Sequence, residues 1–83
     1  MKTRRKEILG DILRRERVIR RISQTELGKS IGVGKTMISA YELGKVSPDL
    51  EKLETMCDRL GVDMISVLTE ARNSYSQEMA NFK

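Results

Sequence analysis

Lys35, Thr36, Ser39 and Ala40, four side chains within six residues, carry the most concentrated recognition chemistry in this sequence. The lysine ammonium only donates hydrogen bonds, whereas the two hydroxyls both donate and accept. Alanine adds a methyl group. At helical spacing these four face away from Ile38 and Tyr41, with Met37 at the border. Such a surface breaks no bonds. It matches the acceptors, donors and methyl groups that base pairs present in a major groove.

Catalytic chemistry has little to work with. There is no histidine and a single cysteine, Cys57, so imidazole acid–base work and a His or thiolate metal site lack their donors. Cys57, on the apolar side of its expected helix, reads as a small buried hydrophobe rather than a reactive thiol. Met37, Met56 and Met64 read as core or rim packing. The carboxylates are scattered without a paired cleft signature. Gly34-Lys35-Thr36 imitates the end of a phosphate-binding loop, but that loop needs a glycine where Lys29 stands, and Gly28 is one residue out of register. No catalytic residue, metal or cofactor is expected, and the chain is not read as an enzyme.

The elements that must position the four residues can be read from their boundaries. Ser23 and Glu26 form a capping box, each side chain bonding the other's backbone amide, with Ile22 as an apolar staple before it. Leu27 and Ile31 share one face of the helix that follows, and Gly32 is its stop. Gly28 costs that helix about 1 kcal/mol relative to alanine; room for a steeply crossing helix is the expected compensation. Gly34 is an acceptable N-cap for a second helix over residues 35 to about 43, burying Ile38 and part of Tyr41. Two short helices around a glycine-bounded turn, the second opening on small polar and basic residues, have the build of a helix-turn-helix over residues 23–44.

The flanking elements follow the same logic. Leu9 and Leu13 recur at helical spacing and predict a core-facing helix over residues 7–20. A second stripe, Ile8, Ile12 and Ile19, is either more core or cover for something C-terminal. Asp49 caps a helix over residues 50–60, with Leu50, Leu53, Cys57 and Leu60 on one face and Gly61 as the stop. Asp63 caps another containing Met64, Ile65, Leu68 and Ala71. The fold class is all-α, a compact five-helix domain over residues 7–72 with no strand signal.

Eighty-three residues allow one small domain with a modest core. The net charge is +4; residues 1–45 hold twelve Lys/Arg against five Asp/Glu, and residues 46–83 hold four against seven. A solvated asymmetry fits these totals as well as phosphate binding does, until the motif is placed in the basic half. Lys2, Arg4, Arg5 and Lys6 form a basic stretch over residues 1–6, either an arm for DNA or a plain solvated terminus. No apolar run reaches the length of a signal peptide or a membrane span, so a cytoplasmic chain without membrane contact is expected.

The whole set of residues resembles the Cro-type and lambda-repressor-like helix-turn-helix domains, the xenobiotic-response-element class of phage and bacterial regulators. The resemblance rests on Ser23-Gln24, Glu26-Leu27, Ile31-Gly32-Val33, Ile38-Ser39, Tyr41-Glu42, Gly44-Lys45, Pro48 and Leu60-Gly61-Val62, and covers residues 9–70. It implies that Gln24 bonds a DNA phosphate and braces the recognition helix. It places Lys35, Thr36 and Ala40 against base edges, with Ser39 beside them. Arg17 and Glu42 resemble the family's arginine–glutamate pair, whose bland alternative is two solvated charges. Lys45 is expected at the phosphates, and Arg17 is also counted among them. The partner implied is double-stranded DNA, bound by a homodimer acting as a repressor; no small-molecule ligand pocket is evident.

Three positions depart from the pattern. Arg21 stands where the family closes its first helix with glycine, which predicts a strained or shifted terminus. Leu43 replaces a polar or basic residue before Gly44 and removes a phosphate contact, and Gly28 replaces an alanine. Leu43, the thin surface around Ala40 and an apolar C-terminal stripe also support a rival reading, a protein-interaction module of the same fold. The DNA-binding antidote of a toxin pair is a third. For residues 73–83, where Tyr75, Met79 and Phe82 continue the spacing of Leu68 and Ala71, the options are a frayed tail, a dimerisation helix, or a helix packed back on the Ile8 stripe.

Overall fold

Three of the five helices start behind a residue whose side chain caps the first turn. The computed structural model describes residues 4–81, which form α1 (Arg5–Ile19), α2 (Gln24–Ile31), α3 (Lys35–Glu42), α4 (Leu50–Leu60) and α5 (Met64–Ala80). Among the described residues there is no strand. The Ser23 hydroxyl accepts from the Glu26 amide, and the Ser23 amide donates to the Glu26 carboxylate, both at 3.0 Å. These bonds also hold the Glu26 carboxyl below its ordinary range. Asp49 and Asp63 cap α4 and α5 by accepting from the Lys52 and Ser66 amides. Gly32 and Gly61 close α2 and α4 in the left-handed conformation.

α1 ends less comfortably. The Ile22 amide donates to the Arg17 carbonyl and the Arg21 amide to the Val18 carbonyl, a Schellman closure. Its left-handed position is filled by Arg21, at φ 57°. The terminus is therefore strained at the residue that departs from the family pattern. A left-handed L-residue costs roughly 1–2 kcal/mol, of which glycine's greater chain entropy returns about half. Arg21→Gly should raise stability by about 0.5–1 kcal/mol, read as a melting temperature a few degrees higher. An unchanged or lower melting temperature would refute the strain.

The core sits where all five helices meet. Leu13, Leu27, Ile38, Met56, Cys57 and Leu60 are its most deeply buried members, joined by Ile8, Ile12, Tyr41, Leu53 and Val67. Burial pushes the Cys57 thiol pKa up, which keeps it protonated and inert. Ile8 and Ile12 thus belong to the core, whereas Ile19 is left exposed. Leu9 is only half-buried.

Three large apolar side chains of α4 and α5 stand outside the core. Leu50 is 67% exposed, because the first residue of α4 lies beyond the edge of the core. Ile65 is 65% and Leu68 37% exposed, since α5 turns Val67 inward instead. Met64, Ala71 and Tyr75 complete that inward face.

α5 runs past residue 72 without a break and lies along α1. Arg15 grips Glu70 through two bonds of 2.6 and 2.8 Å, and Arg4 donates to Glu78 at 2.6 Å. The Arg5 guanidinium stands 4.6 Å from the centre of the Tyr75 ring. Ile8 and Ile12 lie beside Ser74 and Glu78, so this segment packs back on the isoleucine stripe. Arg4 is the N-cap of α1, and Arg5 and Lys6 are already helical, so none of the three is a free arm. Lys2 and Phe82 lie outside the described residues. Between α1 and α5 an open cleft of about 460 Å³ is lined by Leu9, Leu68, Ala71 and Tyr75 together with Arg5 and Arg72. The sequence had signalled no pocket there.

Candidate nucleic-acid interface

An eight-residue helix holds no fixed direction by itself, so α3 depends on its anchors. Ile38 is fully buried and Tyr41 nearly so, which turns the opposite side of the helix outward. On that side Lys35 and Thr36 are exposed, and Ser39 and Ala40 half-buried. Met37, at the border, is 40% exposed. All four sequence-chosen residues therefore share the solvent side of one short helix.

The turn before α3 is tight because Gly28 lets it be. A Cβ built there would stand 2.5 Å from the Val33 carbonyl oxygen. The approaching group is the backbone of the turn, not the helix beyond it. Gly10 makes a comparable contact that sequence reading missed: its Cβ would meet the Tyr41 and Glu42 carbonyls at 2.5 Å. α1 thus lies directly on the C-terminal end of α3. The signal was present, since a mid-helix glycine carries the same propensity penalty as Gly28.

That end of α3 is also tied by a buried ionic network. Arg17 donates through Nε and Nη2 to the two Glu42 oxygens at 2.6 and 3.0 Å. Its Nη1 donates to the Ile22 carbonyl at 2.7 Å. The Glu42 side chain is 2% and the Arg17 side chain 12% exposed. Gln24 Nε2 donates to Glu42 Oε1 at 3.0 Å. One carboxylate thereby joins the ends of α1 and α3 to the start of α2. Among the described residues no buried side-chain polar atom lacks a partner.

This placement divides the residues expected at the phosphates. Arg17 spends three of its five N–H groups inside the fold, on Glu42 and Ile22, so the expected pair with Glu42 is formed. Gln24 braces α3 through Glu42, and its amide carries a second N–H that remains available. Lys45 is exposed just beyond α3, and among the described residues neither it nor Lys35 enters an ion pair. Ser23, Glu26 and Gly32 hold α2 as structural residues. Glu42 is the sole acidic residue of α3, and it is buried, so the helix shows no negative charge to solvent.

Among the described residues no group of His, Cys, Asp and Glu side chains could hold a metal ion, and no helix is long and apolar enough to cross a membrane.

A helix-turn-helix family model matches residues 13–66. The chain is 33% identical over 63 residues, 76% of its length, to the cryptic phage CTXphi transcriptional repressor RstR of Vibrio cholerae. It spans 57% of that curated relative's length. Two crystal structures of the clp gene regulator ClgR from Corynebacterium glutamicum share its fold, with TM-scores of 0.83 and 0.76 at 30% and 31% identity. The matches cover 93% and 84% of this chain, and 82% and 91% of theirs. The motif helices, the braced recognition helix and these likenesses agree: the chain belongs to the Cro/lambda-repressor-like helix-turn-helix family of DNA-binding transcriptional regulators.

Proposed function

We propose that this chain is a sequence-specific transcriptional repressor of the cytoplasm, acting by occupying DNA rather than by catalysis. Its supporting observation is a recognition helix that turns exposed Lys35 and Thr36 and half-buried Ala40 to its solvent side while its only carboxylate is buried. With α3 in the major groove, Lys35 donates to guanine O6 and N7 and Thr36 bonds a base edge or phosphate. Ser39 lies beside them, and Ala40 meets a thymine methyl. Lys45, the second N–H of Gln24 and the amide ends of the motif helices hold phosphates and set the register. Two copies address half-sites about 34 Å apart on a near-palindromic operator. That RstR is a transcriptional repressor and ClgR a gene regulator supports the reading.

A salt titration tests it. Each neutralised phosphate contributes about −0.9 to the slope of log K against log salt, so about two per protomer give a dimer a slope near −3.6 or steeper. A slope near zero would favour the rival interaction module, for which the exposed Leu43 and Val46 speak.

A further inference from the structure

The outward side of α3 is more apolar than contact with a polyanion requires. Met37, Ala40, Leu43 and Val46 recur every third residue, from the helix onto the loop behind it. Leu43 is 59% and Val46 44% exposed, Met37 is comparably open, and Ala40 is half-buried between its neighbours. Thr36 lies one turn before Ala40 and adds a methyl of its own to the strip. Exposed Lys35 and Lys45 stand at its two ends, and no carboxylate of the helix reaches the surface. An apolar strip bracketed by cations is complementary to a surface that is anionic at its edges and apolar at its centre. Among base-pair edges, the one apolar group is the thymine C5-methyl.

We propose that Met37 and Ala40 are specificity-determining residues that read the methyl groups of neighbouring thymines, so that the half-site is a guanine followed by a thymine-rich step. Residues three apart rise about 4.5 Å along a helix. The step between stacked base pairs is about 3.4 Å. Met37 and Ala40 can therefore reach neighbouring base pairs, with Lys35 on the guanine at the N-terminal end. This assignment rests on the DNA-reading function proposed above and narrows it to a class of sequence.

Fluorescence anisotropy with the full chain and a duplex selected from random DNA tests the assignment, replacing thymines one at a time by deoxyuridine. That exchange removes the methyl and leaves the hydrogen-bonding edge intact. Affinity should fall about three- to fivefold at each of two adjacent positions, the size of one buried methyl group. Met37→Ala should abolish the penalty at one position and Ala40→Ser at the other. Specific binding that deoxyuridine leaves within twofold at every position would overturn the methyl assignment alone. Selection that yields no preferred sequence would overturn the DNA reading, and this assignment with it.

Discussion

Arg17→Ala is expected to destabilise the fold by about 3–5 kcal/mol, the loss typical of a buried ion pair stripped of one partner. The magnitude follows from burial. Glu42 would keep only its bond from Gln24, with its carboxylate 2% exposed and far from compensating water. The Ile22 carbonyl would lose its donor as well. Arg15→Ala provides the contrast: its partner Glu70 is exposed, and pairs of that kind are worth about 0–1 kcal/mol. Urea denaturation measures both, through a midpoint shift at unchanged slope. Replacing both members of the buried pair by apolar residues should cost less than Arg17→Ala, since no orphan charge remains. A loss for Arg17→Ala no larger than for Arg15→Ala would remove the network from the account.

Ile38→Ala is expected to cost about 2–5 kcal/mol, combining lost transfer energy with a cavity at a fully buried site. Its consequence for function should exceed that figure's effect on the folded fraction. Ile38 is the central apolar anchor of an eight-residue helix that cannot persist undocked. Hydrogen exchange should therefore show α3 opening before the rest of the domain. Met37→Ala, one residue away but at the exposed border of the helix, should change stability by no more than about 0.5 kcal/mol. Equal losses at the two positions would mean that α3 is not anchored as described.

The helix boundaries were legible because they rest on local chemistry. Capping side chains at Ser23, Asp49 and Asp63 and left-handed glycines at 32 and 61 act within a few residues, so the sequence displays them directly. The strain at Arg21 was legible from the family's glycine at that position, not from local chemistry. Facing was harder. Ile65, Val67 and Leu68 are all apolar, and periodicity alone does not choose among neighbouring registers of α5; packing against α1 decided for Val67. Leu50 fits the apolar stripe of α4 but projects past the end of the core, a matter of helix length rather than spacing. The outward residues of α3 were found because Ile38 and Tyr41 left them no other side.

Contacts distant in sequence were the least visible. Arg17 with Glu42 came from family resemblance, and nothing local distinguishes Arg17 from the other basic residues of α1. Its guanidinium spends three N–H groups on Glu42 and Ile22, so bracing α3 is the role that its contacts display. Arg4 and Arg5 looked like part of a loose basic arm until Glu78 and Tyr75, more than 60 residues away, supplied partners.

Lys35, Thr36 and Ala40 are proposed to meet base edges. Selection of bound fragments from random duplex DNA, run in parallel with the wild-type chain and Lys35→Ala, tests that placement most directly. The wild type should return a near-palindromic consensus. With Lys35→Ala one symmetric position should relax, corresponding to about 1–3 kcal/mol of lost discrimination there. Enrichment of no sequence, or an identical consensus from both proteins with uniformly weaker binding, would contradict it.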